Sequence, residues 1–298
     1  VQVMRMYPIT FKEYLRASDS QTFNFVEQIV QPEKLPLIIL DKLKSEYRRY
    51  MVSGGMPEAA VSMLENQGMQ AVDGILQGIL DLYELDFAKY AEPREIPRIH
   101  AIWRSLPSQL AKENRKFIYK IIKKGARSRD YEDALLWLED AGMIYRVNAV
   151  SKPGMPLSAY EEPDIFKIYA SDCGLLRRLA GLPGSIVIDP TVNYTEFKGA
   201  MAENAVLQSL LPSYGSMPYY WSSEGKAEIE FLLQREDEII PVEVKAENCV
   251  SGRSIVVYNE RYQPKNRIRF SFLNLQQNCG MLACPSPLAE WAMKWLNK

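Results

Sequence analysis

The chain has 298 residues, of which 47% are hydrophobic and 24% charged, and its formal net charge is −1. This length allows two or three domains, and the composition is that of a globular protein rather than a disordered chain or a coiled coil. With so little net charge no global field draws the protein to nucleic acid, and its longest apolar runs fall far short of the roughly 20 residues that span a membrane.

Residues 1–106 are predicted to be a helical region. Apolar residues recur at i, i+3 and i+4 in FKEYLRA, KLPLIILDKLKSEYRRYMVSGG, PEAAVSMLENQG and QAVDGILQGILDLYELDFAKYA. Gly54 and Gly55 end the second of these segments, and Pro57 begins the third at a favoured first-turn position. Beyond a tight turn between helices, the sequence assigns no role to the stretch from Gly54 to Glu58.

The residue types that carry chemistry are few. Four cysteines without C-x-x-C spacing favour a reducing, cytoplasmic compartment and incidental thiols. The one histidine, His100, follows helical spacing with Ile96, Ile99 and Trp103, and we interpret it as a helix residue beside a packed face. Catalytic triads depend on that imidazole and histidine-pair zinc sites are excluded, so carboxylates must carry any chemistry.

Residues 107–185 are predicted to form a winged-helix domain. PSQLAKENRKFIYKIIKKG is predicted as one helix with Phe117 and Ile121 inward. RSRDYEDALLWLEDAG is predicted as a second helix that begins at the N-cap Ser128 and ends at Gly142. MIYRVNAV and IFKIYASD are predicted as strands around a turn, which completes the order of elements in a winged helix.

The charge of the second helix determines what such a domain would bind. Between Ser128 and Ala141 five acidic residues stand against one basic residue, Arg129. Phosphates repel a helix of this charge. We therefore interpret the domain as a structural or protein-docking winged helix, and DNA binding is the less favoured alternative.

Residues 186–298 are predicted to form a further α/β unit with a mixed sheet. TEFKGAMAENAVLQSLLPSYG is predicted as a helix, and strands are predicted at YYWSS, AEIEFLLQ, IIPVEVKA and RIRFSFLNL. SPLAEWAMKWLNK is predicted to close the chain as an amphipathic helix.

Two of these strands carry more acid than a half-buried hairpin needs. Side chains alternate along a strand, so Glu243 and Lys245 share one face of IIPVEVKA. Glu228 and Glu230 share one face of AEIEFLLQ. The opposite, apolar face of AEIEFLLQ consists of Ile229, Phe231 and Leu233. A register that turns both apolar faces to one core gathers the charged residues on the other side.

Several carboxylates and a lysine on one sheet face suit a hard divalent cation such as Mg²⁺, which prefers oxygen ligands. The alternative is a solvent-facing ladder in which Lys245 pairs with the acids across the strands. The preceding helix supplies a further acid, Glu203, which favours a site over a ladder.

An acid on a helix, an acid on a strand and E-x-K on the next strand resemble the PD-(D/E)XK nuclease superfamily. From about Tyr7 to Leu275 the chain resembles the C-terminal portion of a bacterial and archaeal family of AAA-type ATP-binding proteins. In that family a P-loop ATPase module precedes a domain of unknown function with a winged helix and a nuclease-like fold. The resemblance rests on YMVSGGMPEA, LLWLEDAGMIYRV, YASDCGLL, KGAMAENAVLQSLL and AEIEFLL…IIPVEVKA.

The resemblance implies a multi-domain α/β protein whose residues 186–298 form a restriction-endonuclease-like α/β/α domain with a mixed sheet. It places Glu230, Glu243, Lys245 and Glu203 on the catalytic positions, with Glu230 and Glu243 as ligands of Mg²⁺. At Glu230 the family usually has aspartate. One extra methylene displaces the carboxylate by roughly an ångström, and a displacement of that size costs about 100-fold in rate. Catalysis is therefore less expected than metal binding.

The resemblance also implies a partner. The sequence contains no G-x-x-x-x-G-K-[ST], so ATP would bind only through an N-terminal ATPase module outside it, and residues 1–30 are predicted to be the end of that module. Three functions stay open at this point. They are a regulatory or partner-binding region with a nuclease-like fold, a Mg²⁺-dependent DNA endonuclease, and a winged-helix DNA-binding regulator.

Overall fold

The computed structural model describes residues 5–112, 116–192, 195–223, 227–246 and 252–296. In these residues thirteen α-helices and one eight-stranded mixed sheet form a multi-domain α/β protein, which confirms the predicted fold class. The winged-helix and restriction-endonuclease-like assignments stay predictions. None of the described helices is long and apolar enough to cross a bilayer.

The N-terminal part consists of helices. A capping box between Thr10 and Glu13 begins α1, and Gly54, with φ of +66°, ends α3. The helices are α1 (Phe11–Ser18), α2 (Ser20–Glu27), α3 (Leu37–Ser53), α4 (Pro57–Leu64), α5 (Met69–Tyr90) and α6 (Ile96–Leu110).

The middle part differs from its prediction in its helices. It contains α7 (Tyr119–Ile122), α8 (Glu132–Asp140), β1 (Ile144–Val150), β2 (Glu161–Ala170), α9 (Cys173–Leu179) and α10 (Gly184–Ile188). Ser128 lies in a 3-10 turn rather than at an N-cap, and α8 begins four residues later, whereas Gly142, at φ +70°, follows its end as predicted.

The single helix predicted from residue 107 to 125 is wrong. Helix α6 ends at Leu110, and α7 is one turn long. The Phe117 N–H donates to the Phe166 carbonyl of β2, and the Gln109 side chain bonds both the N–H and the carbonyl of Ile118. These tertiary hydrogen bonds hold the chain in an extended conformation and override the helical periodicity.

The C-terminal part supplies most of the sheet. Its elements are α11 (Thr195–Tyr214), β3 (Tyr219–Ser222), β4 (Glu228–Arg235), β5 (Glu238–Val244), α12 (Arg253–Tyr262), β6 (Arg267–Ser271), β7 (Gln276–Asn278), β8 (Met281–Pro285) and α13 (Ala289–Trp295). The strand order is β2-β1-β3-β4-β5-β6-β8-β7, so β4 and β5 are central. Helices α11 and α12 both contact β5, and core clusters form on both faces of the sheet. A central hairpin is therefore covered on both sides, which is why its charged residues need partners.

The sheet crosses the predicted domain boundary at residue 186. Strand β1 runs parallel to β3, with Ala149 opposite Tyr220, so the β1–β2 hairpin of the middle part extends the C-terminal sheet. The division into residues 1–106, 107–185 and 186–298 stays a prediction.

The first two helices pack against the far end of the chain. The Lys12 N–H donates to Glu290, and the indole of Trp291 donates to Glu27, so α1 and α2 both contact α13. The interpretation of residues 1–30 as the end of an ATPase module stays a prediction. In this fold they are packed onto the same chain.

Candidate functional site at the edge of the sheet

Strand β4 contains a bulge at Glu230, one of the predicted site residues. Where β4 pairs with β3, Glu230 and Phe231 together oppose the single residue Tyr220. A bulge of this kind bends the strand and re-aims side chains, and it often occurs next to functional sites.

The bulge changes which apolar residues share a face. Ile229 packs with Trp221 in the core cluster under α12, whereas Phe231 and Leu233 belong to the main core. The prediction that Ile229, Phe231 and Leu233 share one face is therefore wrong. Strict alternation does not survive an extra residue in the strand.

A cleft of about 860 Å³ lies where β4 begins and β5 ends, and residues of the middle and C-terminal parts line it. Three predicted site residues, Glu203, Glu230 and Lys245, line it together with Glu228. Residues of the middle part also line the cleft. They are Glu162 of β2, and Lys112 and Lys116, which precede β2 in the chain. The structure thus brings together residues from α11, β4 and the end of β5.

Glu203 is buried on α11 and accepts a hydrogen bond from the Tyr169 hydroxyl at 3.1 Å. Glu230 is also buried, and its Oε2 accepts from the Val244 N–H at 3.1 Å. Burial raises the pKa of Glu230, while the charges of Lys245 and Lys167 act in the opposite direction. Each carboxyl group accepts a hydrogen bond from a neutral donor, and both residues line the cleft.

Glu243 is placed differently from the other three. It is fully buried, does not line the cleft, and lies between Val242 and Val244, which point into the main core on the other face. Its Oε2 accepts from Arg269 Nε at 2.8 Å, and its Oε1 lies 3.3 Å from Lys245 Nζ.

A glycine makes room for this ion pair. A Cβ at Gly252, the N-cap of α12, would overlap the Arg269 guanidinium and approach Glu243 Oε2 to 2.8 Å. Lys245 connects the buried pair with the cleft, because its half-buried side chain lines the cleft while its ammonium group faces Glu243.

Sequence reasoning missed Lys167 and Arg269. Lys167 lies in the buried stretch of β2, and its side chain is fully enclosed. Its Nζ donates to Glu228 Oε1 at 2.5 Å and lies 4.8 Å from the centre of the Tyr220 ring. The signal in the sequence is a lone lysine between Phe166 and Ile168, in the second half of β2, which is otherwise free of charged residues.

The predicted Mg²⁺ ligands Glu230 and Glu243 do not fit a divalent cation as they stand. Both oxygens of Glu243 face a nitrogen cation, and a metal ion would have to displace Arg269 or Lys245 to reach them. In the described parts of the chain no group of three or more His, Cys, Asp or Glu side chains is arranged to hold a metal ion.

Helix α8 keeps the acidic character that its sequence predicts. Arg146 of β1 donates to Glu132 at 2.7 Å and lies 3.9 Å from Glu139, which neutralises only the side of α8 that faces the sheet. His100 packs edge-on against Phe87.

A second polar cluster, the Asp172 junction, is formed by Tyr50, Gly55, Asp172, Leu175 and Gln208. Asp172 is fully buried and accepts from the N–H groups of Gly55 (2.6 Å) and Leu175 (2.9 Å) and from Gln208 Nε2 (2.9 Å). Gln208 Nε2 also donates to the Tyr50 hydroxyl. Burial raises the pKa of Asp172, and the three donors oppose that shift.

The junction explains the stretch whose role the sequence left open. Gly54 is left-handed, and a Cβ there would overlap the Asp172 carboxylate, while a Cβ at Gly55 would overlap the Ile9 carbonyl. YMVSGGMPEA, YASDCGLL and AENAVLQSLL meet at this point. Their contacts at the junction therefore hold α3, α9 and α11 together, whereas Glu203, in the third of these segments, lines the cleft.

Two families match the chain. Residues 44–185 match a family described as "Domain of unknown function (DUF8612)", and residues 198–285 match one described as "Domain of unknown function (DUF4143)". No match was found among curated proteins or among solved structures.

Proposed function

We propose that this chain is a regulatory, partner-binding region of an ATPase-associated protein, and that its nuclease-like cleft does not cut nucleic acid. The observation that carries the proposal is the position of Glu243, off the cleft and bonded between Arg269 and Lys245. The match of residues 198–285 supports the ATPase association, because domains of that family often occur with AAA ATPases.

The physical reason is electrostatic. A metal-dependent nuclease needs carboxylate oxygens that are free to bind a cation and still accept water and phosphate around it. Here a guanidinium and an ammonium group already compensate the charge of Glu243, and Glu230 is longer by one methylene than the aspartate that the resemblance leads one to expect.

The test is a plasmid-nicking assay with Mg²⁺ or Mn²⁺. We expect the wild-type protein to leave supercoiled DNA intact, with the same background as Lys245→Ala. Metal-dependent nicking that disappears in Lys245→Ala would overturn the proposal.

A Mg²⁺-dependent nuclease is the second candidate. The observation that favours it is the convergence of Glu203, Glu230 and Lys245 on one cleft large enough for several nucleotides. Titration calorimetry with Mn²⁺ separates the two candidates, because binding that Glu230→Gln abolishes is expected only of the nuclease.

Helix α8 supplies a surface for the partner. Leu136 is 46% exposed and is flanked on the same side by Asp133 and Asp140, three residues before it and four residues after it. An apolar residue between two acids fits a protein partner with apolar and basic side chains, and it repels DNA phosphates. A gel shift with duplex DNA at low ionic strength is expected to show no retardation, and a salt-sensitive shift would revive the DNA-binding alternative.

A further inference from the structure

Lys167 of β2 carries its charge on a fully enclosed side chain. An ammonium group without solvent contact is unfavourable unless a buried partner compensates its charge. Lys167 meets this requirement through Glu228 Oε1 and the face of Tyr220. Both partners belong to the C-terminal part of the sheet, whereas Lys167 belongs to the β1–β2 hairpin.

The seam that this ion pair crosses is narrow. Strands β1 and β3 pair through one residue on each side, Ala149 and Tyr220. The rest of the sheet on either side is paired over longer stretches, because β1 pairs with β2 and β4 with β5 over most of their length. The ion pair between Lys167 and Glu228 crosses the seam together with neutral-donor hydrogen bonds, which join Leu157 to Gln234, Ala170 to Asn204 and Tyr219 to Glu161.

The charge of Lys167 acts on the carboxylates of the cleft. Glu228 and Glu230 both line the cleft, Glu228 is paired with Lys167, and the charge of Lys167 opposes the rise in the pKa of Glu230 that burial causes. Lys245, which also lines the cleft, is engaged with Glu243.

We infer that Lys167 is a built-in counter-ion that the β1–β2 hairpin places beside the carboxylates of Glu228 and Glu230, where it excludes a divalent cation. Removal of this one charge is expected to open a cation site at Glu228 and Glu230. The inference rests on the proposed function, because both treat the cleft as closed to metal in the present arrangement.

The test measures Mn²⁺ binding by electron paramagnetic resonance in wild-type protein and in Lys167→Met. We expect Lys167→Met to bind Mn²⁺ at least tenfold more tightly, and a second substitution, Glu228→Gln, to remove that gain. Lys116→Met is the matched control. Lys116 lines the same cleft and has no ion-pair partner among the described residues. We therefore expect its removal to leave the affinity for Mn²⁺ unchanged.

Lys167→Gln is measured in parallel. The glutamine amide removes the charge but can still donate a hydrogen bond to Glu228, so this variant is expected to disturb the fold less than Lys167→Met. Circular dichroism and a thermal melt establish that each variant is folded. A folded Lys167→Met or Lys167→Gln that binds Mn²⁺ no better than wild type overturns the inference, and so does an equal gain in Lys116→Met.

The outcomes also separate this inference from the proposed function. Metal-dependent nicking by the wild-type protein would remove the proposed function, yet a tenfold gain in Lys167→Met would still support the counter-ion. Absence of nicking together with equal affinities would leave the proposed function in place and remove the counter-ion.

Discussion

The Asp172 junction and the cleft are both polar, and both gather residues from distant segments, but they are built in opposite ways. At the junction donors from Gly55, Leu175 and Gln208 converge on one fully buried carboxylate, and none of these residues lines the cleft. In the cleft, the carboxylates of Glu203, Glu228 and Glu230 line about 860 Å³ of space together with lysines.

The difference shows which polar cluster serves the fold and which is available for function. A buried network in which every group is satisfied makes one arrangement rigid and specific, and it leaves nothing for a ligand to bind. A cleft with convergent polar groups is where ligands bind. The motifs that resemble a known family include residues of both clusters, so the resemblance alone does not show which cluster is functional.

The largest expected effect tests the junction. Asp172→Ala leaves the buried N–H groups of Gly55 and Leu175 without an acceptor and removes one of the two acceptors of the Gln208 amide. We expect a loss of about 3–5 kcal/mol in the free energy of unfolding. Urea denaturation measures it. The control Asp237→Ala removes an 81% exposed carboxylate and should change stability by less than about 0.5 kcal/mol. A small effect of Asp172→Ala would mean that the junction is not closed.

The half-buried carboxylate of Glu290 predicts a pH dependence. Burial raises the pKa of Glu290 to about 7, because the Lys12 N–H and the charge of Lys12 only partly compensate it. The folded state therefore holds this proton more tightly than the unfolded chain. The associated stability is fully present below the ordinary pKa of a glutamate and is lost as pH rises through about 7.

The expected loss between pH 4.5 and pH 8 is about 2–3 kcal/mol, measured by urea denaturation across that range. Glu290→Gln should flatten the profile, whereas Glu260→Gln, at an exposed position on α12, should leave it unchanged. A profile that stays equally steep in Glu290→Gln would assign the dependence to other groups.

The same substitution at two glycines should act in opposite directions. Gly54→Ala forces a left-handed residue to carry a Cβ against the Asp172 carboxylate, and we expect a loss of at least about 2 kcal/mol. Gly74→Ala lies in α5 with open space around the new Cβ, and it should stabilise the protein by about 0.5–1 kcal/mol. Thermal melts of both variants compare them directly, and a shift of both in the same direction would contradict this account.

The smallest expected effect lies in the cleft. Lys116 lines the cleft and has no ion-pair partner among the described residues, so Lys116→Ala should change the free energy of unfolding by no more than about 0.5 kcal/mol. Denaturation in urea checks it. A loss above about 1 kcal/mol would show that Lys116 supports the fold and that the cleft is less open than its lining indicates.

Sequence reasoning was most successful where the signal is local. Helical periodicity located α3, α5 and α11, and the E-x-K pattern led to Glu243 and Lys245 in a central strand. It failed where a residue's conformation depends on distant partners. The extended Phe117 is bonded to Phe166, and the bulge at Glu230 is visible only in the pairing with Tyr220.

The sequence by itself determined the α/β class, most helices and the clustering of acids and a lysine on two neighbouring strands, because these follow from periodicity and from residues close along the chain. Only the tertiary structure decided that Glu243 binds Arg269 instead of lining the cleft, that Lys167 of another hairpin pairs with Glu228, and that Asp172 binds the Gly54–Gly55 turn. Burial and charge compensation are properties of packed neighbours, and these neighbours are separated by 26, 61 and 117 residues along the chain.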